Sequence, residues 1–346
     1  MATTTPAVIS SRANARYAVT AGFLGWTIDA FDFFVLVFTI PAIAKEFGRP
    51  IPAIALTLTA SLVMRPVGAF VFGLLADRYG RRPILMANIL FYSAMEILSG
   101  LAGSYPVFLA LRLLYGIGMG GNWGVGASLA LESAPSEKRG IVSGLLQEGY
   151  AFGNLLAAIA YYLVFPHWGW RAMFFVGAAP ALLTLLACVR VQEPEAWRES
   201  RTDWSTYRQE IFRNRKLFFY LVALMTMMTF ISHGTQDLYP TFLQKQRRYS
   251  VDATALISGI SMVGAILGGL TFGHLSDRWG RRRTMVRAVL LAVAVIPLWV
   301  LAPNMSLTIL GGFVMQMMVQ GAWGVVPVHL NELSPAPLRG FFPGFA

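Results

Sequence analysis

Charged side chains interrupt two of the long apolar stretches of this sequence. Asp29 and Asp32 lie three residues apart in the first stretch, so a helix would carry both carboxylates on one face. Arg112 is the only permanent positive charge in another stretch, and a guanidinium in an apolar environment is suited to bind a carboxylate through two hydrogen bonds. Because a charge at the centre of a bilayer costs about 2.5–3.5 kcal/mol, such residues are usually functional. They predict a site that binds an acidic solute or moves protons.

Each of these residues also has a structural interpretation. One of the aspartates would have only a packing role or would pair with a structural arginine, and Arg112 would form a structural salt bridge with Asp29 or Asp32. Arg65, in the second apolar stretch, would either pair with a carboxylate of the first stretch or extend towards the membrane surface. The residue types alone do not decide between these alternatives.

A later stretch contains a string of polar residues between positions 232 and 241. His233, Gln236 and Asp237 stand at positions i, i+3 and i+4 and would form one polar patch on a helix. A lone histidine in a helix is usually a packing residue, but a histidine one turn from a carboxylate inside a membrane span is typical of a proton relay. Since no second histidine stands at the spacing of metal ligands, we expect no metal and no other cofactor.

Glutamines in the last long stretch are further polar candidates. Gln316 and Gln320 lie on one face of a helix. They would bind a carboxylate or hydroxyl group of a solute, or they would join neighbouring helices, an effect of about 0.6 kcal/mol on average. Both interpretations remain open at this stage.

The apolar stretches indicate which elements position these residues. The chain of 346 residues is 56% hydrophobic and 13% charged, with a mean hydropathy of +0.57, whereas soluble domains carry about 25% charged residues. Apolar runs of about 20 residues predict membrane-spanning helices. We expect ten of them, near residues 17–41, 53–76, 84–103, 106–131, 141–165, 171–190, 217–241, 254–275, 285–302 and 306–331.

The formal net charge of +11 does not indicate a nucleic-acid-binding protein, because of where the charges lie. Only six of the 28 Lys and Arg residues fall in the odd-numbered loops, which is the asymmetry of the positive-inside rule. We therefore expect a multi-pass protein of the plasma membrane, in contact with the lipid bilayer, with a cytoplasmic N-terminus. The single cysteine, Cys188, has no partner for an internal disulfide.

One charged segment occurs twice, at an interval of 200 residues. Residues 73–83 and 273–283 are identical at seven of eleven positions, so the sequence consists of two copies of one helical unit. The aspartate of the first segment would accept hydrogen bonds from the N-terminus of a neighbouring helix and form a latch that can open. The predicted gating residues of the two copies are Gly73, Asp77, Arg78, Gly80, Arg81, Gly273, Asp277, Arg278, Gly280 and Arg281.

The repeat also defines the predicted domains. Residues 1–191 would form an N-terminal bundle of six helices, residues 192–216 a cytoplasmic central loop, and residues 217–346 the first four helices of a second bundle. Ala346 corresponds to Leu146 in this register, so we expect that two spans are missing and that the chain is a fragment or a truncated product. Aromatic residues in the central loop favour a helix at the membrane interface over a solvated linker.

The charged segment, its copy and the glycine-rich run that follows Arg112 resemble the signatures of the major facilitator superfamily. Within that superfamily, residues 29–32, the polar string and residues 320–335 look like the sialate:proton symporter family, and most of all its lactate/pyruvate permease branch. Thr229 stands where the string of that branch begins with asparagine. The residues that match the string are Ser232, His233, Thr235, Gln236, Asp237 and Thr241.

The resemblance implies an all-α membrane transporter of twelve helices, about ten of which are present, with a site near the bilayer midplane between the repeats. It implies proton-coupled symport of a small monocarboxylate by a monomer. The alternatives are symport of sialic acid or an aromatic acid, and a truncated paralogue or sensor that does not transport. We do not expect an enzyme, since no nucleophile–base pair is present. The resemblance also implies that Asp77 latches against an eleventh helix that this chain lacks, whereas Asp277 can contact the fifth helix.

The resemblance assigns roles to the polar residues on spans 1, 4, 7 and 10. The residues expected to bind the substrate are Arg112, Asn122, Gln236, Gln316 and Gln320. The residues expected to couple transport to protons are Asp29, Asp32, His233 and Asp237.

Overall fold

The computed structural model describes residues 11–179, 181–200, 204–236 and 239–346. These residues form helices and connecting turns, with no β-strand in the described ranges. The helices are α1 (Ser11–Glu46), α2 (Ile51–Tyr79), α3 (Arg81–Leu101), α4 (Tyr105–Ser133), α5 (Arg139–Ala178), α6 (Ala181–Arg190), α7 (Glu195–Ser200), α8 (Trp204–Arg213), α9 (Arg215–Gln236), α10 (Tyr239–Lys245), α11 (Val251–Trp279), α12 (Arg281–Leu301), α13 (Met305–Leu333) and α14 (Phe341–Phe345).

Eight segments of the described chain are long and apolar enough to cross a membrane. One of them, Ser136–Arg190, is 55 residues long and contains two of the predicted spans. The break of α5 at Gly169 lies between these two spans. Helix α4 is not among the eight, since Arg112, Asn122 and a run of glycines lower its hydropathy. The predicted all-α membrane architecture is confirmed.

The same short turn joins α2 to α3 and α11 to α12. Gly80 and Gly280 are the single residues between the helices, with φ angles of 122° and 85°. A side chain is strained at such positive φ values, which explains why glycine occurs at this place in both repeats. The turn brings the charged residues on either side of it close together at the end of each helix pair.

Close helix packing also repeats between the two halves of the sequence. Gly68 of α2 lies against the backbone of α4, where any added side chain would collide with the carbonyl oxygen of Ile117. Gly268 of α11 lies against α13 in the same way, at the carbonyl oxygen of Met317. Without a side chain at these positions the helix backbones approach each other directly, as is usual for helices packed in lipid.

Contacts divide the chain into two units that do not follow a single boundary in the sequence. The first unit comprises the described residues up to Pro135, together with Gly149–Tyr207 and Ala336–Phe345. The second comprises Ser136–Glu148 and Arg208–Pro335, together with the final residue. The first turns of α5 thus group with the second unit, and the last residues of the chain group with the first.

The segment after α6 forms two short helices, α7 and α8, where the sequence predicted one interfacial helix. Trp197 and Tyr207 of these helices are buried, and both donate hydrogen bonds to Asp77 at the end of α2. The indole of Trp197 binds the backbone oxygen of Asp77 at 2.8 Å, and the hydroxyl of Tyr207 binds its carboxylate at 2.6 Å. These aromatic side chains therefore pack against protein within the first unit.

Candidate functional site

Both aspartates of α1 are completely buried in the first unit. Asp29 lies 3.8 Å from the guanidinium of Arg65, and that guanidinium also lies over the ring of Trp26. Arg65 thus pairs with a carboxylate of the first span. Within the described part of the chain, no donor forms a hydrogen bond with the carboxylate oxygens of Asp29 or Asp32. The two aspartates are buried acids with little compensation from hydrogen bonding.

Arg112 is also completely buried, and its guanidinium is occupied by groups of α3. Its Nη2 donates to Glu96 Oε2 at 2.6 Å and to Ser99 Oγ at 2.7 Å. Its guanidinium carbon lies 4.2 Å from the centre of the Tyr115 ring. The structural alternative for Arg112 named Asp29 or Asp32 as the salt-bridge partner, and that assignment was wrong because the direct partner is Glu96.

Glu96 was absent from the predicted site residues. It is fully buried, and it is the only acidic residue in the stretch from 84 to 103. The rule that identified the aspartates of α1 would have identified it as well. A methyl group added to Gly177, in the last turns of α5, would lie 2.5 Å from Asp32 Oδ1 and 3.5 Å from Glu96 Cγ. Asp32 and Glu96 therefore face the same narrow space beside α5.

Asn122 stands ten residues after Arg112 in α4, at a contact between α4 and α1. Its amide nitrogen donates to the backbone oxygen of Gly25 at 2.7 Å, and its side chain is buried. The amide oxygen receives no hydrogen bond from the residues that the structure describes. The predicted substrate ligand Asn122 thus holds two helices of the first unit together and retains one free acceptor.

The polar residues of α9 and α13 form a hydrogen-bond ladder in the second unit. Gln236 donates to Gln316 at 2.8 Å, and Gln316 donates to the backbone oxygen of Thr235 at 3.2 Å. One turn further along, Gln320 donates to Ser232 at 3.2 Å. The two glutamines of α13 therefore join neighbouring helices, which is one of the two interpretations that the sequence left open.

His233 and Asp237 are the two residues that the sequence predicts as a proton relay on the seventh span. His233 lies in α9 next to the ladder, and its side chain is exposed. Asp237 lies outside the described residues. The described residues contain no group of three or more His, Cys, Asp or Glu side chains placed to hold a metal ion.

In the first charged turn, Asp77 makes hydrogen bonds to backbone nitrogens at the start of a helix, as the sequence predicted. Asp77 accepts hydrogen bonds from the backbone nitrogens of Gly340 and Phe341 at 2.7 and 3.0 Å, from Tyr207, and from Arg81. The expectation that its partner is missing was wrong, because residues 340 and 341 supply the backbone donors. They stand 200 positions after the first residues of α5, so the repeat register could have identified them.

The second charged turn forms the equivalent contact within the second unit. Asp277 accepts a hydrogen bond from the backbone nitrogen of Gly140 at 2.9 Å, as expected for a contact with the fifth helix. Arg281 pairs with both Asp277 and Glu332, at 2.6 and 2.8 Å.

The other predicted gating residues occupy equivalent places in the two turns. Arg81 pairs with Asp77 and with Glu132, as Arg281 does with their equivalents. Gly73 and Gly273 lie directly against the backbones of residues 340–341 and 140. Arg78 is half-buried and Arg278 is exposed.

Glu193, which the sequence analysis did not single out, caps α3 in the first unit. Its carboxylate accepts hydrogen bonds from the backbone nitrogens of Arg81 and Arg82 at 3.0 and 2.8 Å. Burial raises the pKa of Glu193, and these two backbone donors lower it in part. Since the first four backbone N–H groups of a helix have no partner within the helix, Glu193 stabilises the start of α3.

Comparisons with known proteins agree with this arrangement. A model of the Major Facilitator Superfamily matches residues 22–346. A probable 4-methylmuconolactone transporter of Cupriavidus pinatubonensis is 31% identical, over 94% of this chain and 78% of its own length. A carboxylic acid transporter protein homolog of Saccharomyces cerevisiae is 30% identical over 94% of this chain. This chain spans 57% of the length of that relative.

Two further likenesses extend this result. The sialic acid transporter NanX of Escherichia coli is 28% identical, over 95% of this chain and 82% of its own length. A crystal structure of a double tryptophan mutant of XylE superposes with a TM-score of 0.76, at 19% identity, over 96% of this chain and 85% of that chain. That structural likeness shows the fold. The chain described here belongs to the Major Facilitator Superfamily.

Proposed function

We propose that this protein is a secondary transporter that carries a small organic acid together with a proton across the plasma membrane. The observation that carries this proposal is the complete burial of Asp29, Asp32 and Arg112 between the packed helices of the first unit. A guanidinium in an apolar interior binds a carboxylate, and a buried carboxylate takes up and releases protons. Relatives that are named as transporters of a carboxylic acid and of sialic acid support an acidic substrate.

The proposed substrate class is a small monocarboxylate of the lactate or pyruvate type. The polar string from Ser232 to Gln236 supports this class, because it matches the string of the lactate/pyruvate branch. In this proposal Arg112 binds the carboxylate, and the amides of Asn122 and Gln236 orient the rest of the molecule. Gln316 and Gln320 contribute by holding Gln236 and Ser232 in place.

The proposed coupling groups are Asp29 and Asp32, with His233 and Asp237 as a second pair. Protonation of an acid next to Arg112 leaves the guanidinium with an excess of positive charge, and this favours binding of the substrate anion. The latches at Asp77 and Asp277 would open and close as the site is exposed to one side of the membrane and then to the other. We further propose that the protein acts as a monomer with a cytoplasmic N-terminus.

Transport of protons with the acid can be measured in liposomes that contain the purified protein. An inward gradient of L-lactate should make the interior more acidic, as reported by an enclosed pH-sensitive dye, because each anion enters with a proton. The same gradient applied to the Arg112→Gln variant should give no signal beyond that of empty liposomes. Lactate uptake without proton movement would exclude symport, and absence of lactate uptake would exclude this substrate class.

A larger acid is the second candidate substrate. The observation that favours it is the similarity to NanX over 95% of this chain. Competition separates the two candidates: an excess of unlabelled sialic acid or of an aromatic acid should leave uptake of labelled lactate unchanged if the site is small. Strong inhibition by the larger acid, with its own saturable uptake, would replace the monocarboxylate as the proposed substrate.

A further inference from the structure

The charges buried around Arg112 in the first unit, those of Asp29, Asp32 and Glu96 against Arg65 and Arg112, do not balance. Three carboxyl groups face two guanidinium groups, and the second guanidinium, that of Arg65, is 28% exposed. Burial of unpaired charge is costly, so a cluster of this composition favours the retention of one proton. The titratable and charged groups of this cluster come from five helices. They are Asp29 and Asp32 of α1, Arg65 of α2, Tyr92 and Glu96 of α3, Arg112 and Tyr115 of α4, and Cys188 of α6.

Glu96 and Asp32 are the two acids of this cluster that lie beside Gly177, and each has at least one oxygen without a hydrogen bond from the described residues. Glu96 binds Arg112 through one oxygen, and its other oxygen, Oε1, receives no hydrogen bond from the described residues. Asp32 receives none at either oxygen from the same part of the chain. Both side chains lie within 4 Å of the place that a Cβ added to Gly177 would occupy.

The guanidinium of Arg112 is only partly satisfied by Glu96. The carboxylate contacts Nη2, whereas Nε is buried and finds no acceptor among the described residues. A guanidinium prefers a carboxylate that engages two of its N–H groups in parallel. Glu96 thus occupies the position of an incoming acid without using the full binding capacity of Arg112.

The fold itself does not require these charges. At the equivalent positions of the second repeat, 200 residues later, the cluster is replaced by uncharged residues, and the corresponding helices α11, α12 and α13 pack together all the same. The residues at the positions of Asp29, Asp32, Arg65, Glu96 and Arg112 are Thr229, Ser232, Ala265, Ile296 and Gly312. Packing of these helix types therefore does not by itself depend on charges at these positions.

We propose that Glu96 is the internal competitor of the substrate for Arg112, and that a proton shared between Glu96 and Asp32 releases the guanidinium for the substrate carboxylate. This inference rests on the proposed function. A hydronium ion of the solvent gives one proton to a carboxylate oxygen of Glu96 or Asp32 and leaves as water, an O–H bond forms at that oxygen, and the Glu96–Arg112 ion pair separates. The substrate anion then takes the place of Glu96. One proton and one anion enter together, so the net charge of the cluster is unchanged.

The pH dependence of acid binding tests this inference. The measurement is the dissociation constant of L-lactate, with sialic acid as a second probe, for the purified protein between pH 5 and pH 8. If one proton must be bound before the acid, the apparent dissociation constant of the unmodified protein rises about tenfold per pH unit in the upper part of this range. Glu96→Gln should reduce that rise to less than about twofold over the whole range, because Arg112 is then permanently released.

A matched variant controls for the loss of any carboxylate. Glu46→Gln neutralises a carboxylate that is also paired with an arginine, Arg171 at 2.7 Å, but at the partly exposed end of α1. It should keep the pH profile of the unmodified protein. If Glu96→Gln does not fold, Asp32→Asn tests the same shared proton: Glu96 then stays ionised and paired with Arg112 down to a lower pH, so the rise of the dissociation constant should begin at a lower pH than in the unmodified protein.

The possible failures can be told apart. Binding of neither acid, or binding that does not depend on pH in the unmodified protein, would contradict the proposed function. A normal pH dependence that persists unchanged in Glu96→Gln, or in Asp32→Asn when the first variant is unstable, would overturn the role of Glu96 and leave proton-coupled transport intact. A flattened profile in Glu46→Gln would also overturn it, since the effect would then follow from net charge alone.

Discussion

Substitution of Asp77 by asparagine should destabilise the protein much more than the equivalent substitution of Asp277. Asp77 accepts four hydrogen bonds, from Arg81, Tyr207, Gly340 and Phe341, and both it and Arg81 are completely buried. Asp277 accepts two, and its salt bridge with Arg281 retains some exposure to solvent. The two aspartates occupy the same position of the repeat, so each variant is the natural control of the other.

The expected magnitudes follow from these contacts. An asparagine keeps one acceptor oxygen, but its NH2 group is a donor and would face the groups that now donate to the carboxylate. The substitution also leaves Arg81 with Glu132 as its only ion-pair partner among the described residues. Breaking a buried ion pair by removing one partner costs about 3–5 kcal/mol. For Asp277→Asn the loss is that of one or two hydrogen bonds to a charged group, about 1.5–3 kcal/mol.

Two measurements check this prediction. Denaturant titrations of the purified protein in detergent report the free energy of unfolding of both variants. Hydrogen exchange reports the local effect: the amides of Gly340 and Phe341 should exchange faster in Asp77→Asn, whereas that of Gly140 should exchange faster in Asp277→Asn. The reasoning would be refuted if Asp77→Asn were no less stable than Asp277→Asn, or if exchange at Gly340 were unaffected.

Three further predictions concern other contacts. Gly268→Leu should prevent α11 from packing on α13, because its side chain would collide with the backbone of Met317, and the folded yield in detergent should fall sharply. Gln320→Ala should cost only about 0.6 kcal/mol in a denaturant titration, since it removes one interhelical hydrogen bond. For Glu193, the raised pKa in the folded protein means that its contribution to stability is fully present below the pKa of the unfolded chain and is lost as pH rises through the folded pKa. Stability scans from pH 4 to pH 8 should therefore decline less in Glu193→Gln than in the unmodified protein; an identical decline would contradict this.

The sequence determined the parts of this protein that depend on neighbouring residues in the chain. Apolar runs long enough to cross a bilayer predicted the helices. The break of α5 at Gly169 lies between the predicted spans 141–165 and 171–190. The repeated turn was recognisable because only glycine tolerates the backbone conformation at Gly80 and Gly280. The membership in the superfamily followed from the same local motifs.

Pairings between helices were decided only by the tertiary structure. The residues of α3 and α4 meet according to how each helix is rotated about its axis, and this places Glu96 rather than an aspartate against Arg112. The rotation of α13 likewise turns Gln316 towards Gln236. The path of the folded chain brings Gly340 to Asp77, more than 260 positions away in the sequence. A side chain's charge and its cost in an apolar environment can be read from one segment, but its partner lies on another segment, and only the packed structure specifies which one.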